Sequence, residues 1–266
     1  MLHSSTLRLK QSTATALFRS EENYFHLGAN CVHFAGIDII YMPEFMDLAS
    51  GCVVLWKSTP RESTDAQNRV NQLEAKLGQL GASQCRIYDY SGTTVLGRVL
   101  DEKGYTGSRE YVLSIPCGVH SRQGDLSLQP IHSQEDWSTK RELHQHDKHA
   151  PDGHSVLPER WIEMEYRKHK SGNLKFFFAL WKGQLCGTVG AMYEGAFLRM
   201  KNLYVHPDWR KRGIGAAITQ AMLRHALDSG YSTLGLLALA EGPALSMYKA
   251  QGARILSHQD EWITVL

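Results

Sequence analysis

Apolar residues recur along this chain in two periods, and the places where one period yields to the other mark its elements. In the first half, Phe34 to Tyr41 and Gly51 to Trp56 are apolar runs of strand length. From Asp65 to Leu80, Val70, Leu73, Leu77 and Leu80 lie on one side of a helix that Gly81 ends. Cys85 to Tyr88 then reads as a strand, Thr94 to Asp101 as a helix and Tyr111 to Ile115 as another strand. Ser114 to Asp125, with Pro116, Gly118 and Gly124, reads as a linker.

Beyond it, Leu126 to Ile131 reads as a strand, and Gln134 to His146 and Pro158 to His169 as helices. Leu174 to Trp181 and Leu185 to Tyr193 form a hairpin about Lys182-Gly183. The next apolar positions are Ala196, Leu198 and Met200, then Leu203 and Val205, so the parity slips by one. A β-bulge produces such a slip, because one extra residue returns the later side chains to the buried face. His206-Pro207-Asp208 ends this run. Ile214, Ile218, Ala221 and Met222 follow at helical spacing as far as Gly230, and Leu234 to Leu239 is a further strand.

Between strand and helix stands Arg210-Lys211-Arg212-Gly213-Ile214-Gly215. A helix that begins on Gly-x-Gly exposes unpaired backbone N–H groups and the positive end of its dipole, and three cations add to it. Such a place suits a pyrophosphate. No Lys-Ser or Lys-Thr follows, which excludes a nucleotide-hydrolysing P-loop, and a third glycine and ribose-reading acid are missing, which excludes a dinucleotide fold.

These residues resemble the GNAT superfamily of acetyl-CoA-dependent N-acetyltransferases. That family's loop, Arg/Gln-x-x-Gly-x-Gly/Ala after a strand ending in Val-x-Pro, is matched by Arg210-x-x-Gly213-x-Gly215 after Val205-His206-Pro207. A second block, Asn-x-x-Ala-x-x-Leu-Tyr-x-x-x-Gly-Phe, is matched at Ala244, Met247, Tyr248 and Gly252, with Glu241 in place of asparagine and Ala253 in place of phenylalanine. The first departure bears on a polar contact to the pantetheine arm, the second on packing. The resemblance covers about the last 140 residues.

It implies that Arg210, Lys211, Arg212, Gly213, Ile214, Gly215 and Ala216 hold the pyrophosphate, with Glu241 and Ala244 along the arm. It further implies a bulge that splays two parallel strands, so that backbone N–H groups of Leu203, Tyr204 and Val205 meet the thioester and Tyr248 meets the leaving thiolate. Glu194, Glu241, Glu165 and His206 are candidate bases, with Glu194 first by its place at a strand end.

Setting Gly104-Tyr105 against Gly252-Ala253 gives an offset of 148, which carries Gly213 onto Asp65. The halves read as one fold twice. In the first, Asp65-Ala66-Gln67 replaces Gly-Ile-Gly, Glu62 replaces Arg210 and Leu100 replaces Tyr248, so its phosphate chemistry is gone. The expected fold is α/β (α+β): two GNAT-like lobes, each with a mixed, mostly antiparallel sheet flanked by helices. Residues 1–116 are expected as a degenerate lobe, 117–125 as a linker and 126–266 as the acetyl-CoA-binding domain.

Length adds that 266 residues accommodate two cores. A net charge of +2 is too mild for a nucleic-acid binder, and no apolar run reaches the roughly 18 residues of a membrane span. Residues 1 to 20 have the basic, Ser/Thr-rich, acid-free composition of a targeting segment but no long amphipathic repeat, so a cytoplasmic protein is expected. Cys31, Cys52, Cys85, Cys117 and Cys186 are odd in number and lack a Cys-x-x-Cys, which fits neither a disulfide framework nor zinc. His144, His146, His149 and His154 crowd one connection, where a solvated loop is favoured over a metal site and a part in acceptor recognition is a third reading. The expectation is an N-acetyltransferase with acetyl-CoA as cosubstrate, no metal, and a small-molecule or peptidyl amine as acceptor. Neither nucleic acid nor membrane is expected as a partner, and the protein is expected as a monomer or homodimer. The rival reading is a non-catalytic acetyl-CoA-binding or interaction module.

Overall fold

The computed structural model describes residues 2–91, 93–118, 125–145 and 158–266. In chain order the elements are α1 (Leu2–His26), β1 (Asn30–Phe34), β2 (Ile37–Tyr41), β3 (Cys52–Trp56), α2 (Ser63–Leu80), β4 (Gln84–Asp89), α3 (Thr94–Glu102), β5 (Thr106–Pro116) and β6 (Leu126–Pro130). They continue as α4 (Gln134–His144), α5 (Pro158–Ser171), β7 (Leu174–Trp181), β8 (Gln184–Glu194), β9 (Phe197–Val205), α6 (Ile214–Asp228), β10 (Thr233–Leu239), α7 (Pro243–Ala250) and β11 (Arg254–Val265).

The chain divides into two compact units. One comprises residues 1–27 and 111–257, the other residues 28–110 and 258–266. This departs from the expected boundaries of 1–116, 117–125 and 126–266. The first 27 residues group with the second half, and the last nine with the first. The supposed linker from Ser114 begins inside β5, which runs to Pro116, and residues 119–124 lie outside the described residues.

In the smaller unit the strands run in the order β1-β2-β3-β4-β11. β3 and β4 are parallel, and the other pairs are antiparallel. The apolar run Phe34 to Tyr41 is not one strand but the hairpin of β1 and β2, because Ala35 and Gly36 turn at positive φ. α2 packs Ala66, Val70, Leu73 and Leu77 against Val54, Trp56 and Ile87. At its start the Asp65 carboxylate accepts the Arg61 N–H at 3.0 Å, so an acid already occupies that helix mouth.

In the larger unit the order is β5-β10-β9-β8-β7-β6. β6 to β9 are antiparallel, and β9 and β10 are parallel. α6 buries Ile214, Ile218, Met222 and Ala226 on Leu198, Met200 and Leu234. Leu17 of α1 packs with Val112 and Phe197, and a Cβ at Gly235 would come within 2.2 Å of its Cδ2. Beside it, Glu21 of α1 pairs with Arg199 and Lys201 of β9. Lys168 of α5 donates to the carbonyls of Tyr24 at 3.0 Å and Phe25 at 3.4 Å, capping the end of α1.

The offset of 148 read from the sequence carries Asp228 onto Leu80, Ala250 onto Glu102 and Arg254 onto Thr106, so α6, α7 and β11 coincide with the ends of α2 and α3 and the start of β5. Among the described residues no helix is long and apolar enough to cross a membrane, no group of three His, Cys, Asp or Glu is arranged to hold a metal, and all five cysteines are free.

Residues 126–266 expressed alone lose Glu21, and with it the counter-charge of the buried Arg199. Stranding a buried charge costs about 3–5 kcal/mol, against a total stability of about 5–15 kcal/mol. The loss of Leu17 and β5 adds to that. The fragment is expected to be insoluble or to unfold without a cooperative transition in thermal circular dichroism.

Candidate functional site

β9 organises this site. Toward β8 it pairs as far as Lys201 with Gly190, then resumes at Tyr204 with Thr188, so Asn202 and Leu203 together face Val189. This is the bulge that the apolar parity predicts. Asn202 takes φ +48°, a left-handed conformation that asparagine tolerates better than most residues. Gly187 and Gly190 of β8 make room on either side, since a Cβ at the first would lie 2.3 Å from the Tyr204 carbonyl oxygen and at the second 3.2 Å from that of Lys201.

On its other side β9 pairs with β10 only at Leu198 with Leu234 and Arg199 with Gly235. Beyond that point the two strands run on without a ladder, and residues 201–205 are half-buried. Leu203, Tyr204 and Val205 therefore stand where the strands part.

After β9, a 3₁₀ turn (Pro207–Trp209) leads to Arg210, whose Nε donates to the Val205 carbonyl at 3.0 Å and whose guanidinium lies 5.8 Å from the Tyr204 ring. Arg212 lies 5.7 Å from the Trp209 ring. Lys211 and Gly213 both take positive φ, +60° and +76°, and Gly213 caps α6 without any side chain. A Cβ at Gly213 would meet no atom within 4 Å, so its backbone conformation is what calls for glycine there. The first intrahelical N–H is that of Ala217, bonded to the Gly213 carbonyl, which leaves the amides of Ile214, Gly215 and Ala216 directed out of the helix mouth. His206 accepts the Asp208 N–H at Nδ1 and belongs to this turn.

α7 carries Ala244 and Tyr248 against the core of the unit, and Glu241 precedes it in the turn from β10. Tyr248 is 5% exposed, no hydrogen bond to its hydroxyl is formed among the described residues, and burial pushes its pKa up to about 12. Glu194 lies elsewhere. It pairs with Phe197 at the β8–β9 turn and accepts from Asn23 Nδ2 at 3.3 Å. Five residues separate Phe197 from Asn202, or about 17 Å of strand. The strand-end argument chose the end remote from the bulge.

Of the polar groups that meet the bulge, sequence reasoning named Glu165 and His144 but passed over Asn202, Tyr24 and Lys140. Asn202 Nδ2 donates to Glu165 Oε1 at 2.7 Å and to the Tyr24 hydroxyl at 3.2 Å. Glu165 Oε2 accepts from Lys140 Nζ at 2.6 Å, and both of these side chains are buried. His144, expected on a solvated loop, is the buried end of α4. It stacks on Tyr204 with ring centroids 3.8 Å apart and meets Thr188 Oγ1 through Nε2 at 3.1 Å. Burial, then the nearby Lys140, holds its pKa well below the usual 6.5. His146, His149 and His154 lie outside the described residues.

Comparison with known proteins bears on part of the chain. Residues 136–253 match the model of the acetyltransferase (GNAT) family. The chain carries a GNAT domain. Thialysine N-epsilon-acetyltransferase of Bos taurus is 35% identical over 71 residues, 26% of this chain and 42% of that protein. The chain thus matches less than half the length of that curated relative. Among solved structures, a conserved protein of unknown function from Staphylococcus epidermidis superposes with a TM-score of 0.74 at 15% identity, covering 90% of this chain and 95% of that one. A tandem GNAT protein from the clavulanic acid biosynthesis pathway gives 0.52 at 10% identity, covering 86% and 78%.

The matched span of the GNAT domain takes in the bulge, the helix mouth and Tyr248, and leaves out α1, β5 and β11. Tyr24 therefore reaches the bulge from outside the family match.

His144 yields a pH prediction. The unfolded chain takes up a proton near pH 6.5 and the folded state does not, so stability falls as pH drops through 6.5. Urea midpoints at pH 7 and pH 5 should differ less in His144→Phe, which keeps a ring on Tyr204, than in the parent. Equal drops would place the acid sensitivity in other groups.

Proposed function

We propose that the GNAT domain moves an acetyl group from acetyl-CoA directly to a primary amine of a small molecule or peptide. One observation carries this: the bulged strand that parts from β10 runs straight into a cationic helix mouth with free amides. A ligand with a pyrophosphate at one end and an extended arm fits that pair of features. Arg210, Lys211, Arg212 and the amides from Gly213 to Ala216 would take the phosphates, and the arm would lie between β9 and β10 beside Glu241 and Ala244. Backbone N–H groups from Leu203 to Val205 would polarise the thioester carbonyl as a preorganised donor site. The curated relative's name makes a side-chain amine the first acceptor class to try.

Tyr248 is proposed to meet the departing sulfur. With its pKa at about 12 and a thiol's near 8.5, full proton transfer is uphill by roughly 5 kcal/mol. The hydroxyl therefore serves as a hydrogen-bond donor to developing thiolate. That no partner for it stands among the described residues favours this over the binding-module reading, which needs only the helix mouth. Glu194, which accepts from Asn23 far along the strand, is not proposed as the base. The smaller unit is proposed as a GNAT-like lobe that keeps the fold and has lost the phosphate site, with Asp65 at its helix start.

Two variants test this. Gly213→Glu puts a side chain at φ +76° and an acid in the phosphate mouth, so calorimetric binding of acetyl-CoA should be lost. Undiminished binding, or two equivalent sites per chain, counts against the reading. Tyr248→Phe keeps the ring and its packing, so affinity for acetyl-CoA should hold while turnover, followed by thiol release against an amine panel, falls about ten- to a thousand-fold. A matching loss of affinity would make Tyr248 a binding residue.

A further inference from the structure

We infer that the Asn202 side chain is a positioning residue that locks the β9 bulge, and that α1, through Tyr24, is part of the lock. This rests on the proposed acetyl transfer for its kinetic consequence, though not for its structural one.

The extra residue of a bulge is unpaired and the ladder around it is disrupted. A non-glycine residue at φ +48° adds conformational cost. Such a segment keeps one shape only where surrounding groups over-determine it. Here one amide nitrogen does so, its two donor directions taken by Glu165 Oε1 at 2.7 Å and the Tyr24 hydroxyl at 3.2 Å. Glu165 is 1% exposed, and Lys140 holds its second oxygen at 2.6 Å. Lys140 Nζ in turn lies 3.6 Å from the centroid of the Phe176 ring. The Tyr24 ring is flanked by Lys201 Nζ at 4.0 Å and Lys168 Nζ at 4.6 Å.

Three helices thus converge on one side chain: α1 through Tyr24, α5 through Glu165 and α4 through Lys140. The acceptors on α1 and α5 fix the orientation of the Asn202 amide, with Lys140 holding Glu165 in place, and that amide fixes the backbone from Lys201 to Leu203. The adjoining N–H groups of Leu203 and Tyr204 are those that acyl transfer needs preorganised. A donor free to swing would have to be ordered in the transition state, which lowers turnover and not ground-state affinity.

The test uses Asn202→Gly, which accepts positive φ but deletes the amide, and Tyr24→Phe, which deletes only a hydroxyl. In N202G, amide hydrogen exchange at Leu203 and Tyr204 should quicken at least tenfold, acetyl-CoA affinity by calorimetry should stay within about twofold, and turnover should fall about ten- to a hundred-fold. Y24F should move in the same direction by less. A charge-conserving exchange adds a rescue. N202D alone sets two carboxylates against each other and should be worse than N202G, while N202D with E165Q restores a donor–acceptor pair and should recover slow exchange. Parent-like amide exchange in N202G, or no recovery in the double variant when both fold cooperatively, overturns the proposal. If the parent protein acetylates no amine, the acetyl-transfer reading fails while the exchange measurements still decide the lock.

Discussion

β9 has to hold one neighbour and release the other, and the larger unit is arranged around that demand. Its ladder to β8 continues past the bulge, to Tyr204 and Val205, whereas its ladder to β10 stops at Arg199. A flat strand cannot do both, because its N–H groups alternate sides and would seek the second neighbour along the whole length. Two residues set against Val189 turn the later amides without breaking the β8 pairing. Half-buried backbone amides without a partner are costly, so a gap of this kind is stable only if it is wet or filled. The same strand then delivers the chain to the start of α6, where further amides are unpaired for a different reason, the geometry of a helix end. The parting of β9 from β10 and the mouth of α6 therefore lie in line.

What supports the strand from below is polar, and that is unusual for a core face. Among the described residues, Glu165 pairs with Lys140 and Glu21 with Arg199 and Lys201, while Lys168 is buried beside them. Burial brings Lys168 down to about 7 and Arg199 down to about 9. The positive charge is spread over aromatic faces and the last carbonyls of α1. Well-packed apolar side chains would serve stability as well as such a cluster does, so its value lies in specifying one arrangement of α1, α4 and α5 against β9. Removing one member exposes how interlocked it is: taking away Glu21 leaves Arg199 with the Ser20 hydroxyl and a carbonyl as its acceptors.

β3, α2, β4 and α3, the hairpin at Lys182-Gly183, the bulge and the helix mouth were all legible in the sequence, because each rests on local spacing. The misses share a cause, which is dependence on distant partners. α1 was assigned no element, because its residues before Glu21 lack an acid and are rich in Ser and Thr, yet Leu17, Glu21 and Tyr24 find partners on β5 and β9. Glu194 and Glu165 looked alike as candidate acids, and only the register of β8 on β9 places one at a turn and the other at the bulge. His144 read as part of a loop because its neighbours in sequence are polar, while what buries it is Tyr204, sixty residues on. Phe34 to Tyr41 misled for the opposite reason: apolar residues continue through a turn whose only mark is Ala35-Gly36.

The pairing of β11 with β4 has no local signature either, since the two strands are far apart in the sequence. In the smaller unit the last strand of the sheet is the chain's own C-terminal segment, with Trp262 packed against the core and Glu261 paired to Arg86 at 2.7 Å. In the larger unit the strand beside β10 is β5, which belongs by order of sequence to the first half, and it brings Leu113 and Ile115 into the core. Each half of the sequence therefore completes its sheet with a strand from the other.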